Sequence, residues 1–431
     1  MVPILFILLN IIILFFLSRL LRPLFSPAVV FSAIWTFTLL LHYICSFTVL
    51  PDIFPISTST YLLFTVGVLS FGLGSFFASL NHSARSSKGL ARATSVGSPA
   101  PTPITVKLRL IILMVTLAIL PFYVKTAIDI VVASEVENFL MGLRWQLSMG
   151  EADYGWYKYI ISLSIISFAF NLIENLRNPC LVNRILVWLS FLATLGYIVL
   201  FTGRTFFLLI FLLFIFCNLV LNQKFRAKML LLILPLILLA FIAYGLMLNK
   251  GGSFEDSFSD NLKSSSELTA VYMVASLSAF EYEVENELAL ESNGVYSLRF
   301  FYLIAEKLGF TITPKFKENL VQDFVFIPYE TNVYTYYSPY VRDFGYVYAL
   351  ICLFVFGLIH TYVFLQARTQ NKPAMVIYFS LLMYPLCMSI FSDNYLTLLS
   401  SWIQFVLYIE GIGLINRLFI KKVSPASPAS N

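Results

Sequence analysis

Charge is scarce in this sequence. Only 12% of its residues are Asp, Glu, Lys or Arg, while 59% are hydrophobic. A soluble globular chain carries about 25% charged residues, so an ordinary soluble domain is excluded. Histidine is scarcer still. His42, His82 and His360 stand far apart, and isolated imidazoles make no metal centre without carboxylate help. The five cysteines, at 45, 180, 217, 352 and 387, fall in apolar stretches or in one basic gap. None shows CxxC spacing and none lies in the long polar segment 250–344, which argues against a disulfide framework or a cysteine metal site. No Walker glycine loop, HExxH or GxSxG occurs, which leaves ATP-driven transport and zinc hydrolysis without support. No cofactor and no metal are expected.

What the chain has in quantity is apolar length. A helix needs about 20 apolar residues to cross roughly 30 Å of hydrocarbon. Eleven stretches qualify: 3–18, 28–47, 61–80, 108–128, 157–175, 185–201, 205–222, 229–249, 345–366, 375–391 and 395–415. The sixth and seventh are parted only by Thr202-Gly203-Arg204. The gaps alternate in charge. Arg19/Arg22, Arg85/Lys88/Arg92/Lys107/Arg109, Arg177/Arg184, Lys224/Arg226/Lys228, Arg368/Lys372 and Arg417/Lys421/Lys422 hold seventeen of the 28 Lys and Arg. The other gaps hold Asp52, Glu135/Glu137/Glu151/Asp153 and Asp393. Basic gaps stay cytoplasmic. The expected fold is therefore all-α: a polytopic integral membrane bundle of about 11 transmembrane helices, N-terminus outside and C-terminus cytoplasmic. The first stretch reads as an anchor and not a cleaved signal, because Arg19 and Arg22 follow it. The net charge of +5 then reflects topology and not affinity for nucleic acid.

The chain divides into an N-terminal bundle of eight spans (1–249), a large extracytoplasmic loop (250–344) and a C-terminal bundle of three spans (345–422). Residues 81–106, rich in Ser, Ala, Pro and Thr, read as a flexible cytoplasmic linker, and 423–431 as a disordered tail. Segment 250–344 carries fourteen acids against seven basic residues. It is too long for a passive connector, and the chemistry is expected there. Within it, 260–290 has helical spacing, 295–309 reads as an amphipathic helix, and 326–341 as irregular. Glu281, Glu283, Glu285 and Glu287 read as a solvated helix face.

Arg144, Arg204, Arg299 and Arg342 stand on the side where the charge rule disfavours them. One reading is anion binding, since guanidinium forks suit phosphate oxygens. The other is snorkelling or pairing with a nearby acid, as in Arg342 with Asp343 or Arg144 with Glu151. Arg204 is the sharpest case, held in a three-residue turn beside Gly203. Arg144 precedes Gly155 by ten intervening residues, among Trp145, Tyr154, Trp156 and Tyr157; those aromatics read as an interfacial belt. From Asn332 through Tyr334 and Tyr340 to Arg342-Asp343, hydroxyls, an amide and aromatic faces meet an Arg-Asp pair. Aromatic faces suit sugar rings, and Asp343 could serve as a general base. A salt bridge at a helix end is the competing reading. Asp393-Asn394 forms an outer turn, read as a cap or as part of a site.

These residues resemble the oligosaccharide repeat-unit polymerases of bacterial surface polysaccharides, the O-antigen polymerase or Wzy type. The likeness rests on Ser26-Pro27 with Val30-Phe31 and Trp35, and on Ser57 to Tyr61 leading to Gly67, Phe71 and Gly72-Leu73-Gly74. It continues in Thr202-Gly203-Arg204-Thr205, in Tyr272 to Phe280, in Asn332 to Gly345 with Gly357, and in Asp393-Asn394. Arg144 and Gly155 are similar to the family's Arg, ten residues, Gly spacing; Arg299 has its glycine one position early, at Gly309. The resemblance implies transfer of a growing glycan from undecaprenyl pyrophosphate to the terminal hydroxyl of a new lipid-linked unit, in O-antigen, capsule or exopolysaccharide synthesis. It implies a bacterial inner membrane location with a periplasmic site. The expected partners are the lipid-linked oligosaccharide, the bilayer, a chain-length regulator and a flippase. Arg204 and Arg144 would grip the pyrophosphate, Arg342 would assist, and Asp343 would act as base or orient an arginine. Catalysis is thus expected from Asp343, Arg342 and Arg204, and substrate binding from Arg144, Gly155, Arg299, Asn332, Tyr334, Tyr340, Asp393 and Asn394. A flippase or exporter of lipid-linked sugars, an O-antigen ligase and a noncatalytic scaffold remain the alternatives.

Overall fold

A computed structural model of the chain describes residues 2–21, 23–48, 50–93, 103–133, 138–149, 152–222, 271, 274–286, 294–310, 324–327 and 330–423. Its helices are α1 (Val2–Leu20), α2 (Pro27–Cys45), α3 (Thr58–Ala93), α4 (Val106–Val132), α5 (Phe139–Met149), α6 (Lys158–Arg177), α7 (Leu181–Phe201) and α8 (Arg204–Leu221). They continue as α9 (274–286), α10 (Arg299–Lys307), α11 (Tyr337–Gln370), α12 (Pro373–Met388) and α13 (Leu399–Val423). A short antiparallel hairpin, β1 (Val325–Phe326) with β2 (Glu330–Thr331), completes the described elements.

Ten of the eleven apolar stretches carry helix; the stretch 229–249 lies outside the described residues. Among the described residues eight helices are long and apolar enough to cross a membrane, and α8 and α12 are shorter apolar helices. The protein is thus a helical bundle with the build of a multi-pass membrane protein. Its surface agrees: Leu5, Phe16, Leu20, Trp188 and Leu407 are all more than half exposed, as lipid-facing side chains are.

Three elements differ from the sequence expectation. Helix α3 runs on to Ala93, through residues whose composition reads as linker. Ala, Ser, Lys and Arg there tolerate helix, and elongating an existing helix avoids the cost of a new nucleus. The amphipathic helix expected over 295–309 is a turn at 294–298 followed by α10. Irregular chain expected over 326–341 is instead the hairpin, an extended stretch and the start of α11.

The described residues fall into two compact units, each discontinuous in sequence. The first gathers α1 to α3, α9, α10, the hairpin, α11 to Gln366 and residues 382–399. Its apolar helices are fastened by single buried polar contacts. Asn10 Nδ2 donates to Thr65 Oγ1 at 2.8 Å, and Trp35 Nε1 to Ser389 Oγ at 3.0 Å. Glycines bring α3 and α11 backbone to backbone: a Cβ on Gly74 would overlap the Phe354 carbonyl oxygen. The second unit gathers α4 to α8, residues 367–381 and α13 from Ser400. Within it α6 packs on α4, α7 and α8, while α5 leans on α4 and α7.

Candidate functional site

In the first unit the loop between α2 and α3, the 294–298 turn, the hairpin, the start of α11 and the turn after α12 all lie at one end of the helices, as their order along the chain requires. Helix α9 is the centre of this end. Val274, Ala275, Leu277, Ala279 and Phe280 are buried. Ser276 Oγ donates to the Ile390 carbonyl at 2.6 Å, Ser278 Oγ donates to the Phe54 carbonyl at 2.6 Å, and Ser278 Oγ lies 2.9 Å from His42 Nε2. Small residues let the helix sit this deep.

That depth overturns the reading of the acidic run as a solvated face. Glu281 and Glu283 are buried, and Glu285 alone of the described acids here is exposed; Glu287 lies outside the described residues. Glu283 forms an ion pair with Arg342, whose guanidinium also lies 5.0 Å from the centre of the Tyr296 ring. A buried carboxylate needs such a partner, because an unpaired charge there is prohibitive. Sequence reading missed Glu283. The available signal was the small-residue run Ala275-Ser276-Leu277-Ser278-Ala279 just before it, which marks close helix contact.

Asp343 does different work from its neighbour. Its carboxylate accepts Ser297 N–H and Ser297 Oγ–H, both at 2.6 Å, and Tyr296 N–H at 3.1 Å. Three donors, two of them backbone N–H groups, hold the carboxylate in one place. Asp343 therefore orients: it ties the turn that carries Tyr296 under Arg342 and leads into Arg299 at the head of α10. Arg299 is half-buried, and burial pulls its guanidinium below the usual arginine range.

The tyrosines are less open than the sequence implies. Tyr340 is buried, stacks on Tyr336 at 4.5 Å and donates to Asp393 Oδ1 at 3.0 Å. Tyr334 packs with Cys45, Leu50, Ile53, Val325 and Ile327 in an apolar cluster. Their rings pack against protein neighbours. Asn332 is half-buried in the extended stretch before α11. Asp393 accepts N–H groups of Tyr395 and Thr397 at 2.9 Å each, so it caps its turn and also anchors Tyr340. Burial pushes its carboxyl above the usual range, against the pull of those donors. Asn394 holds the same turn, donating to Ser392 and accepting from Tyr384 at 3.3 Å.

Arg144, Gly155 and Arg204 belong to the second unit. Arg144 is half-buried on α5; Glu151, weighed as its partner, lies outside the described residues. Gly155 opens a single 3₁₀ turn at φ +58°, a conformation that suits glycine. Trp145 and Trp156 are exposed, as a belt requires, but Tyr154 is buried. It stacks on Tyr123 at 4.1 Å and donates to the Leu200 carbonyl at 2.7 Å. Arg204 is the first residue of α8. It follows Thr202 in the left-handed conformation (φ +57°) and an extended Gly203, a sharp reversal from α7.

No family model, curated protein or solved structure matches the chain.

Proposed function

We propose that this protein is a metal-independent glycosyltransferase of a bacterial inner membrane. It polymerises undecaprenyl-pyrophosphate-linked repeat units of a surface polysaccharide, with about eleven spans, the N-terminus outside and the site facing the periplasm. In that reaction the bond from the donor sugar's anomeric carbon to pyrophosphate breaks, and a bond to the acceptor hydroxyl oxygen forms. The hydroxyl proton passes to a base, and lipid pyrophosphate departs. The observation that carries the reading is Arg342, fixed beside Tyr296 by the buried Glu283 at the end of a spanning helix. A preorganised guanidinium is what a departing diphosphate needs. The charge pattern of the gaps supports the orientation. Asp343 acts as positioning residue for the turn before α10.

The test is reconstitution in detergent with lipid-linked repeat units, products resolved by length. A ladder of multimers is expected from the natural chain, and single units only from Arg342→Gln and Arg204→Ala. A ladder cannot come from a flippase. Failure of the natural chain to lengthen the glycan, or full-length product from both variants, would sink the reading.

A further inference from the structure

The opposite end of the second unit carries a polar cluster that plays no part in the proposed transfer. Here α4 and α7 begin, α6 ends and α12 begins, beside the last turns of α13. Arg109 is 3% exposed although it sits near the head of an apolar helix. Its Nη1 donates to Asn171 Oδ1 at 3.1 Å and its Nη2 to Asn183 Oδ1 at 2.7 Å. Arg177 donates to the carbonyl and to the side chain of Asn371 and lies 3.8 Å from Glu174. Glu174 accepts Ile104 N–H, while Asn416 accepts Thr105 N–H and donates to the Pro103 carbonyl. The same bonds that close the bundle therefore gather two guanidiniums around one carboxylate.

Two features leave this cluster incomplete. Its charge is unbalanced, since Glu174, 3.8 Å from Arg177, is also the acid whose charge acts on Arg109, and Lys107, Arg184, Lys372 and Arg417 stand exposed on the same helix ends. Its donors are also in excess: Arg109 Nε, Arg177 Nε and Asn171 Nδ2 are buried with no acceptor. Buried donors are normally satisfied, and these three, two of them on the arginines themselves, call for an oxyanion, which guanidinium forks bind best. At a bundle end rich in Lys and Arg the abundant oxyanion is the headgroup phosphate of an anionic lipid.

We propose that Arg109, Arg177 and Asn171 form a phosphate site that holds the headgroup of an anionic phospholipid at this end of the bundle. The inference stands apart from the transferase reading, because it concerns other residues and another end of the helices.

The test uses the full chain purified in detergent and offered phosphatidylglycerol, phosphatidylcholine or inorganic phosphate. Retained lipid is counted by native mass spectrometry, and the thermal unfolding midpoint is recorded alongside. Phosphatidylglycerol should be retained over phosphatidylcholine and should raise the midpoint. Arg177→Gln should cut that preference about fivefold, the worth of one basic residue near an anionic surface. Lys107→Gln, on the exposed rim, should cut it less. Equal retention of the two lipids by the natural chain overturns the proposal without recourse to any variant. A preference lost in Lys107→Gln but kept in Arg177→Gln also overturns it, because the attraction is then diffuse. Protection by inorganic phosphate with none by phosphatidylglycerol assigns the site to a free anion and rejects the lipid.

Discussion

Glu283 and Arg342 show how little a residue's type says about its role until its depth is known. The pair is buried on the carboxylate side, with 18% of the arginine side chain exposed. Removing one partner of a buried pair costs about 3–5 kcal/mol. Glu283→Gln should fall at the low end of that range because Arg342 still reaches solvent, and a lowered unfolding midpoint in detergent would show it. Replacing both, Glu283→Leu with Arg342→Met, should restore most of the stability while the proposed chain growth stays abolished. Recovery of both together would make the pair purely structural. Asp393 gives a pH signature. Its folded carboxyl titrates above the unfolded value of about 4. Between those two values the folded state holds the extra proton, so stability falls as pH rises through that window and levels off above it. Unfolding midpoints against pH should show this slope in the natural chain and lose it in Asp393→Asn, whose baseline drops because its amide faces the Thr397 N–H. The capping role of Asp393 was legible in the sequence but the ion pair was not: Arg342 beside Asp343 reads as a local pair, whereas its partner Glu283 is far earlier in the chain.

Elements were far more legible. A long apolar run has few choices in hydrocarbon other than helix, since every backbone N–H must find a carbonyl within its own segment. That is why ten stretches carry helix, although α3, α11 and α13 run past their expected limits to Ala93, back to Tyr337 and on to Val423. Helix α11 starts ahead of its expected limit, at Tyr337, and is broken at Gly345. There φ +79° and ψ 179° break α11 between a short helix and its spanning part. Only glycine adopts that region readily, so Gly345→Ala should cost about 1–3 kcal/mol, although no neighbour stands within 4 Å of the new methyl. Gly357→Ala should cost as much for the opposite reason, its methyl overlapping the Phe71 carbonyl oxygen. Gly411→Ala in α13 meets nothing and should be neutral or gain up to about 1 kcal/mol. Thermal unfolding of the three variants side by side separates backbone strain from steric overlap.

At the scale of the whole molecule the testable quantity is sidedness. Of the five cysteines only Cys180 is exposed, and it lies between Arg177 and Arg184 in a gap expected to face the cytoplasm. A membrane-impermeant maleimide should leave Cys180 unlabelled in spheroplasts and label it in inverted vesicles. In Cys180→Ser with Gly203→Cys the pattern should reverse. Labelling of the introduced thiol only from the cytoplasmic face would turn the Arg204 turn inward and end its proposed role at a departing pyrophosphate. The sequence by itself determined that the chain is a helical bundle for an apolar medium and where its helices fall, because hydropathy and backbone satisfaction act locally along the chain. It also carries the alternation of charge from which sidedness is argued. Only the tertiary structure decided which acid serves which arginine, that Asp343 fastens a turn, and that Arg109 sits in a donor-rich cluster. Burial and partnership are set by residues distant in sequence, and no local pattern encodes them.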